Sequence, residues 1–392
     1  MINFLGWSNW LGTKKKDKAW SFSLPLLPRK NKERVSMPSE RSLSLKKSTI
    51  IDVDVHLQIK PAEVAEYIEE PYKSIMTKSH IGNPLPDSGW DRSMAGKIER
   101  RQVQGPEDIH ERLCEEFHIN HPIINAFGKL GKASMTKLAV ALMKGYNDLV
   151  LEKYLEDYDH FYGLITVAMQ DPEAAAEEIY RVGDEKQFIG VFMDNTGPNP
   201  PLGDPRYDVV YRAAEDKGLP ISYHAYDSGF IVDFPRQNAA LETFFSVHVL
   251  THPYAHMLTL TSLFEHGVPE KFPGLKFIFL EGGVTWLPYM MYRLNKIHSI
   301  RRFDAPMLKK TPEEYIRDQF YVSTQPIGEP NNQDDMRKIM EVIGYDRIMF
   351  SSDYPHFDFD HPEGLEKFLR VNVPAKDRKR VLETNARGVY GI

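Results

Sequence analysis

From Thr49 to its last residues, the chain alternates short apolar runs with stretches of helical periodicity. About eight such pairs follow one another, and the apolar runs are rich in Val, Ile and Phe. Strands that are apolar on both sides are typical of a parallel sheet whose two faces are buried. Eight units of this kind favour an α/β fold, a closed (β/α)8 TIM-type barrel, over an open doubly wound sheet. We expect its strands at about 49–56, 116–125, 161–169, 188–193, 219–224, 275–280, 320–323 and 347–350.

Two parts of the chain fall outside this alternation. Residues 1–48 hold eleven Lys or Arg against three Asp or Glu. We expect a flexible or surface-wrapping extension there, with weak association with an anionic membrane surface as the alternative. A loop-rich insertion at about 57–134 follows the first strand and should roof the barrel mouth together with 227–256. The predicted division is therefore a basic N-terminal extension, 1–48, and one barrel domain, 49–392.

The composition argues against several classes of protein. The whole chain carries −6, so the residues after the basic extension carry about −14, which argues against nucleic acid as a partner. The one cysteine, Cys114, excludes a disulfide framework and a zinc site built from cysteines. Low cysteine use favours a reducing, cytoplasmic location. No run approaches the roughly eighteen apolar residues of a membrane span, so we expect no stable membrane insertion.

Side chains that bind metals stand at the ends of the predicted strands. On the first strand alternate residues share a face, so Asp54 and His56 can reach one cation, with Asp52 lying deeper. The fifth strand ends in His224, and the eighth is followed by Asp353. The carboxyl ends of barrel strands meet in one mouth. These side chains therefore predict a divalent-metal site with open positions for water or substrate.

Further polar residues follow other strands and are candidates for catalysis or substrate binding. Glu281 ends the sixth strand and is assigned to catalysis together with Asp353. His248, His252 and His256 recur every four residues and share a helix face. We expect His252 to be catalytic and His256 to contact the substrate. The other expected substrate contacts are Asn195, Trp286 and His356. The histidines expected to be structural are His110, His118, His121 and His160.

These motifs resemble the amidohydrolase superfamily, and within it the amidohydrolase-2 branch, which includes the aminocarboxymuconate semialdehyde and resorcylate decarboxylases. The segments that match are Asp52-x-Asp54-x-His56, His224, Phe272–Lys276, Glu281-Gly282-Gly283-x-x-Trp286-Leu287-Pro288 with Arg293, and Ser351–His356. Two positions depart from the family. Asp54-Val55-His56 stands where His-x-His or Glu-x-His is common, and Glu281 stands where many of the decarboxylases have a catalytic histidine.

The resemblance implies one divalent metal ion at the barrel mouth, usually zinc and sometimes manganese. Carried onto this chain, its ligands are Asp54, His56, His224 and Asp353. We expect zinc, with manganese or iron as alternatives. The resemblance also implies a small-molecule substrate and a homo-oligomer, since dimers are common in the branch.

Three functions remain open at this point. The first is metal-assisted, non-oxidative decarboxylation of an aromatic or unsaturated carboxylic acid, in which Asp353 delivers a proton to the carbon that loses CO2. The second is hydrolysis of an amide, lactone, ester or carbon–carbon bond, in which Asp353 takes a proton from water and Glu281 or a histidine of 248–256 assists the leaving group. The third is a non-catalytic binding protein, whose mark would be lost metal ligands, and none of the four is missing.

Overall fold

A computed structural model describes residues 48–57, 59–78, 105–126, 130–226, 241, 243–328 and 330–392. The predicted basic extension, except for its last residue, lies outside the described residues. So do the Gly82–Trp90 part of the insertion and all of 227–240. The predictions for these segments therefore stay predictions.

Eight parallel strands follow one another around a single sheet in chain order. The strands are β1 (Ile51–His56), β2 (His121–Asn125), β3 (Tyr162–Thr166), β4 (Phe188–Asp194), β5 (Ile221–His224), β6 (Phe277–Phe279), β7 (Phe320–Ser323) and β8 (Ile348–Met349). The last strand returns to the first: Val53 N donates to Phe350 O at 3.1 Å, and Asp353 N donates to Asp54 O at 3.0 Å. The predicted (β/α)8 barrel is confirmed.

Helices cover the outside of the barrel, and their ends follow local sequence signals. Asp171 accepts a hydrogen bond from Ala174 N at the start of one helix, and Gly218 ends another in the left-handed conformation. The α-helices are α1 (Pro61–Val64), α2 (Tyr72–Thr77), α3 (Pro106–Ile109), α4 (Thr136–Val150), α5 (Pro172–Val182), α6 (Asp208–Lys217), α7 (Phe244–Glu265), α8 (Val268–Lys271), α9 (Trp286–Ile300), α10 (Pro312–Gln319), α11 (Gln333–Ile343), α12 (Pro362–Asn372), α13 (Ala375–Lys379) and α14 (Asn385–Tyr390).

Shorter helical segments extend or link these elements. Three are π-helical: His110–Glu116, Leu151–Leu155 and Arg380–Thr384. Five are 3-10 turns: Ala65–Tyr67, Leu130–Lys132, Pro205–Tyr207, Arg302–Asp304 and Tyr345–Arg347. The described parts of the predicted loop-rich insertion therefore contain short helices as well as β2. Among the described residues, the helices are too short or too polar to cross a membrane.

The start of the first strand is fastened to the end of the last one. Asp52 is fully buried, and its Oδ1 accepts hydrogen bonds from Ser352 N at 2.9 Å and from Asp54 N at 3.3 Å. Burial is the main reason that the pKa of Asp52 rises to about 7. Asp52 therefore braces the backbone that carries Asp54 and Asp353.

Candidate metal centre

Five buried side chains from four strands converge at the carboxyl end of the barrel. Asp54, His56, His224, Glu281 and Asp353 each offer a ligand atom, and these atoms all lie within 4.8 Å of one another. His56 Nε2 lies 3.1 Å from Asp54 Oδ1 and 3.0 Å from Asp353 Oδ1. His224 Nε2 lies 2.8 Å from Glu281 Oε2. The structure thus brings together the four predicted metal ligands and one predicted catalytic residue.

Several of these buried polar atoms make no well-formed hydrogen bond. Asp54 Oδ2, His56 Nε2, His224 Nε2 and Asp353 Oδ1 face other polar atoms of the cluster but form no hydrogen bond of good geometry with the described residues. His224 Nδ1 lies 2.7 Å from the carbonyl of Ala225, to which it donates, so Nε2 of the neutral ring presents a lone pair. Buried acceptors are rarely left unpaired. Acceptors that face one another across a shared point fit a cation at that point.

The spacing of the acceptors also suits a cation. Two ligand atoms about 2.1 Å from one ion and at right angles to each other are about 3.0 Å apart. The separations of His56 Nε2 from Asp54 and Asp353, 3.1 and 3.0 Å, lie close to that value. Carboxylate oxygens with imidazole nitrogens suit zinc, manganese and iron. The residues present therefore fit a divalent cation.

Burial disfavours the charged form of each clustered group, and the neighbours decide the outcome. For His56, the carboxylates of Asp54 and Asp353 outweigh burial and raise its pKa well above the usual value. For Glu281, burial is outweighed by His252 and His224, which hold its pKa well below the usual value. Burial, and then the charge of Glu281, raise the pKa of Asp353. Asp353 is therefore a carboxyl group whose protonated form the site favours.

Two amide side chains fix the carboxylates, and the sequence analysis assigned a role to neither. Asn125 Nδ2 donates to Asp54 Oδ1, and Gln325 Nε2 donates to Asp353 Oδ2 at 3.2 Å. Each amide stands at the carboxyl end of its strand, β2 and β7 respectively. A survey of every strand end, including β2, would have found Asn125. Gln325 leaves Asp353 Oδ1 turned towards His56.

The histidines of α7 share a helix face in the sequence but have different surroundings. His252 Nε2 lies 3.2 Å from Glu281 Oε1, next to the cluster, as expected for a catalytic candidate. His248 Nε2 lies 2.9 Å from Asp358 Oδ2. His256 is fully buried at the far end of this face. Of the three, His252 is therefore placed to act on the site through Glu281.

Three of the predicted substrate contacts form a brace behind β6. Asn195 Nδ2 donates to His256 Nδ1 at 2.9 Å, and His256 Nε2 donates to the carbonyl of Leu280 at 2.6 Å. Burial is the main cause that lowers the pKa of His256 to about 3, so the ring stays neutral. Trp286 packs 5.6 Å from that ring and donates to Gly283 O at 3.1 Å. With both nitrogens engaged, His256 holds the end of β6 in position.

The fourth predicted contact, His356, has an open side. Its ring stacks on His56 with centroids 4.3 Å apart, and its Nδ1 lies 2.8 Å from Asp353 Oδ1. Its side chain is 36% exposed, whereas Asp353 is fully buried. His356 therefore connects the cluster to the space above the barrel mouth.

Asp194, at the end of β4, faces away from the cluster. It forms an ion pair with Lys132 at 2.8 Å and accepts a hydrogen bond from Thr196 N at 2.9 Å. These three residues line a pocket of about 560 Å³ between the segments that follow β2, β3 and β4. None of the five clustered residues lines it, so it is separate from the metal centre.

Comparisons with known proteins agree with this architecture. A model of the family described as Amidohydrolase matches residues 130–392. Gamma-resorcylate decarboxylase of Polaromonas sp. is 26% identical over 344 residues, covering 83% of this chain and 98% of that protein. Among solved structures, an amidohydrolase of Mycobacterium avium subsp. paratuberculosis has a TM-score of 0.70 at 20% identity, covering 88% of this chain and 98% of that one.

A further solved structure is the 5-carboxyvanillate decarboxylase of Novosphingobium aromaticivorans, in complex with manganese and 4-hydroxy-3-methoxy-5-nitrobenzoic acid. Its TM-score is 0.66 at 24% identity, and it covers 88% of this chain and 97% of that one. The family model spans the strands that carry His224, Glu281 and Asp353. The resemblance inferred from the motifs is confirmed, and the chain belongs to the amidohydrolase family.

Proposed function

We propose that this protein is a decarboxylase of aromatic carboxylic acids that uses a divalent cation held by Asp54, His56, His224 and Asp353. The observation that carries the proposal is the convergence of four buried polar atoms, one from each of these residues, that form no well-formed hydrogen bond. Relatives named as gamma-resorcylate decarboxylases, matched over 83% of this chain, support the reaction. Glu281 lies within the same cluster and beside His252, so we propose that Glu281 contacts both the cation and His252.

The charge of the site explains why a cation is needed for an acidic substrate. Asp54, Glu281 and Asp353 are three buried carboxylates, and they would repel a substrate carboxylate. A divalent cation would supply the positive charge that attracts the carboxylate and an adjoining ring oxygen and fixes their orientation. The strand ends that hold these side chains would position the acid group of the substrate near Asp353.

Asp353 is the proposed proton donor. Decarboxylation converts an aromatic carboxylate and one proton into an arene and CO2. The bond from the ring to the carboxylate breaks, its electron pair stays on the ring carbon, and that carbon takes the proton from Asp353. Burial and the charge of Glu281 raise the pKa of Asp353, which favours the protonated form that this step requires. Gln325 holds the other carboxylate oxygen, so the acidic group keeps a single orientation.

The identity of the cation is part of the proposal. The donor set contains oxygen and nitrogen atoms and no sulfur, which suits manganese as well as zinc. The sequence analysis puts zinc first, whereas the related 5-carboxyvanillate decarboxylase was crystallised with manganese. We propose that both support activity, and that reconstitution of the metal-free protein with each ion separately will rank them.

The test is an assay of the reconstituted protein with gamma-resorcylate and with 5-carboxyvanillate, the substrates named for its relatives. We expect release of CO2 with one of them or with a closely related hydroxybenzoate. Asp353→Asn should lower the rate by about 10²–10⁴-fold, the usual contribution of a general acid. His298→Ala, which removes a partly exposed histidine of α9, is the matched control and should keep full activity.

A second measurement separates decarboxylation from hydrolysis. In water labelled with ¹⁸O, a hydrolase incorporates the label into its product, whereas a decarboxylase forms an arene without it. In D2O, the decarboxylase places one deuterium on the ring carbon that lost CO2. Labelled oxygen in the arene-derived product, or no CO2 release from any hydroxybenzoate by fully metallated protein, would refute the proposed reaction.

A further inference from the structure

A second group of metal-binding side chains lies at the opposite end of the barrel. His110, Cys114 and His160 each offer a ligand atom, and the three atoms lie within 4.8 Å of one another. Cys114 belongs to the π-helical segment that precedes β2, and His160 lies two residues before β3 begins. Both therefore lie at the amino ends of strands, away from the proposed metal centre. Residues at that end of a barrel usually contribute to stability rather than to catalysis.

We propose that His110, Cys114 and His160 form a zinc site that fastens the helical segment 106–116 to the loop before β3. The sequence analysis excluded a cysteine-based zinc site because the chain has one cysteine, and it treated both histidines as structural. The fold places two imidazoles beside that cysteine, and a thiolate with two imidazoles is a ligand set suited to zinc. All three side chains are partly exposed, so water can complete the coordination.

The spacing of the two imidazoles supports the site. His110 Nδ1 lies 3.2 Å from His160 Nε2. Two nitrogens bound to one tetrahedral zinc ion at about 2.05 Å are about 3.3 Å apart. A sulfur ligand at about 2.3 Å lies about 3.6 Å from each of those nitrogens, so a movement of at most about 1.2 Å from the 4.8 Å limit brings the sulfur into position.

The neighbouring groups favour the required protonation states of the rings. Glu115 Oε1 lies 3.6 Å from His110 Nε2, on the side of the ring away from Nδ1. A carboxylate there draws the ring proton to Nε2 and leaves the Nδ1 lone pair for a metal, as in many zinc sites. Burial, and then the nearby His110 and His121, lower the pKa of His160, which keeps its ring neutral.

The Cys114 thiol ionises only when it binds a metal ion. Burial, and then Asp52 and Glu115, raise the pKa of Cys114 to about 12, so the metal-free protein carries the thiol form. Binding forms a sulfur–zinc bond, breaks the sulfur–hydrogen bond and releases one proton to solvent. The helical winding assists, because residues four apart in a π-helical segment lie nearly above one another, which brings His110 and Cys114 to one face.

Cobalt provides a selective test, since a bond between Co²⁺ and a thiolate gives a near-ultraviolet charge-transfer band. Cys114 is the sole cysteine, so this band reports on one residue of the full chain. We expect metal-free protein to develop the band within two equivalents of Co²⁺, enough to fill both proposed sites, and to lose it when Zn²⁺ displaces the cobalt. Cys114→Ser should abolish it. His110→Ala and His160→Ala should each weaken Co²⁺ binding by more than about 100-fold, because even the outer partners of a ligand are worth about 10–100-fold.

Two variants separate this site from the proposed metal centre. His224→Ala, at the opposite end of the barrel, should keep the band, and so should His298→Ala. In the His224→Ala background, Zn²⁺ should raise the melting temperature, and adding Cys114→Ser should remove that increase. Absence of the band from the wild-type protein at saturating Co²⁺, or an unchanged Co²⁺ affinity in both histidine variants, would overturn the proposal. Neither result depends on whether the protein decarboxylates any acid.

Discussion

Removal of the divalent cation should destabilise the folded protein by a measurable amount. The proposed metal centre contains four buried polar atoms that form no well-formed hydrogen bond, on Asp54, His56, His224 and Asp353. A buried polar group left unpaired costs about 1–3 kcal/mol. Four such groups would together cost about 4–12 kcal/mol. Water or protons that enter the metal-free site offset part of this cost, so we expect metal removal to lower the free energy of unfolding by about 4 kcal/mol. A free cation at about 1,000 times its Kd would stabilise the folded protein by this same amount, about 4 kcal/mol.

The assay is thermal unfolding with excess Mn²⁺ and with a chelator. A free-energy difference of 1 kcal/mol moves the melting temperature of a 150–250-residue domain by about 2–4 °C, and by less in a larger one. For the predicted domain of residues 49–392 we therefore expect a difference of about 4–8 °C between the two conditions. Mn²⁺ is chosen because it binds thiolate sites poorly. Cys114→Ser should accordingly show the same difference as the wild type.

His224→Ala tests whether the effect arises at the proposed centre. The variant loses one of the four acceptors, so the difference between Mn²⁺ and chelator should fall to about 2 °C or less. The comparison is made within each variant, so a lower melting temperature of the variant itself does not affect it. Coincident melting curves for wild-type protein in the two conditions would refute the reasoning. An undiminished difference in His224→Ala would do the same.

Three further predictions follow from the site and its supports. Because Asp54 and Asp353 raise the pKa of His56 against burial, protons compete with the metal at that ring, and calorimetry should find Mn²⁺ affinity that keeps rising as the pH is raised above 6.5. Asp52 has a folded pKa of about 7 against 3.8, so the folded protein keeps a proton that the unfolded chain releases. The stability of metal-free protein, measured with urea, should therefore fall by up to about 4 kcal/mol from pH 4 to pH 7, and Asp52→Asn should remove this dependence. A Cβ on Gly282 would lie 2.4 Å from His256 Cδ2, so Gly282→Ala should lower the free energy of unfolding by about 1–3 kcal/mol and reduce activity. Gly388→Ala is the control, because a Cβ there would have no atom within 4 Å and should not destabilise the protein.

The alternation of strands and helices predicted the fold and the location of the site. Most strands were rich in apolar residues on both faces, so the barrel followed from pattern alone, and the ends of β1, β5 and β8 indicated the residues that meet. Strand boundaries were too wide by one to three residues at several ends, such as 275–280 against Phe277–Phe279. Hydrogen bonding in the ladder ends earlier than the apolar run, which continues into the turn.

The periodicity of the sequence could not predict how deeply each side chain is buried or what it contacts. His248, His252 and His256 share one face of α7, but only packing against other strands decides what each ring meets. Likewise, His110 and His160 are fifty residues apart, and no local pattern relates them. Sequence spacing fixes which face a residue occupies, whereas contacts between distant segments depend on the closed barrel.

The backbone at the metal centre explains why Glu281 joins the cluster. Glu281 and Asp353 have φ values of 52° and 64°, in the left-handed region that costs a residue with a side chain about 1–2 kcal/mol. Such strain persists where surrounding contacts impose it. Here the brace of His256 holds the turn after β6, and Ser352 bonded to Asp52 holds the turn after β8. The two turns bring the carboxyl groups of Glu281 and Asp353 into one cluster, where positive charge relieves their repulsion. The geometry that strains the strand ends would therefore make the proposed cation a structural support as well as the source of the chemistry.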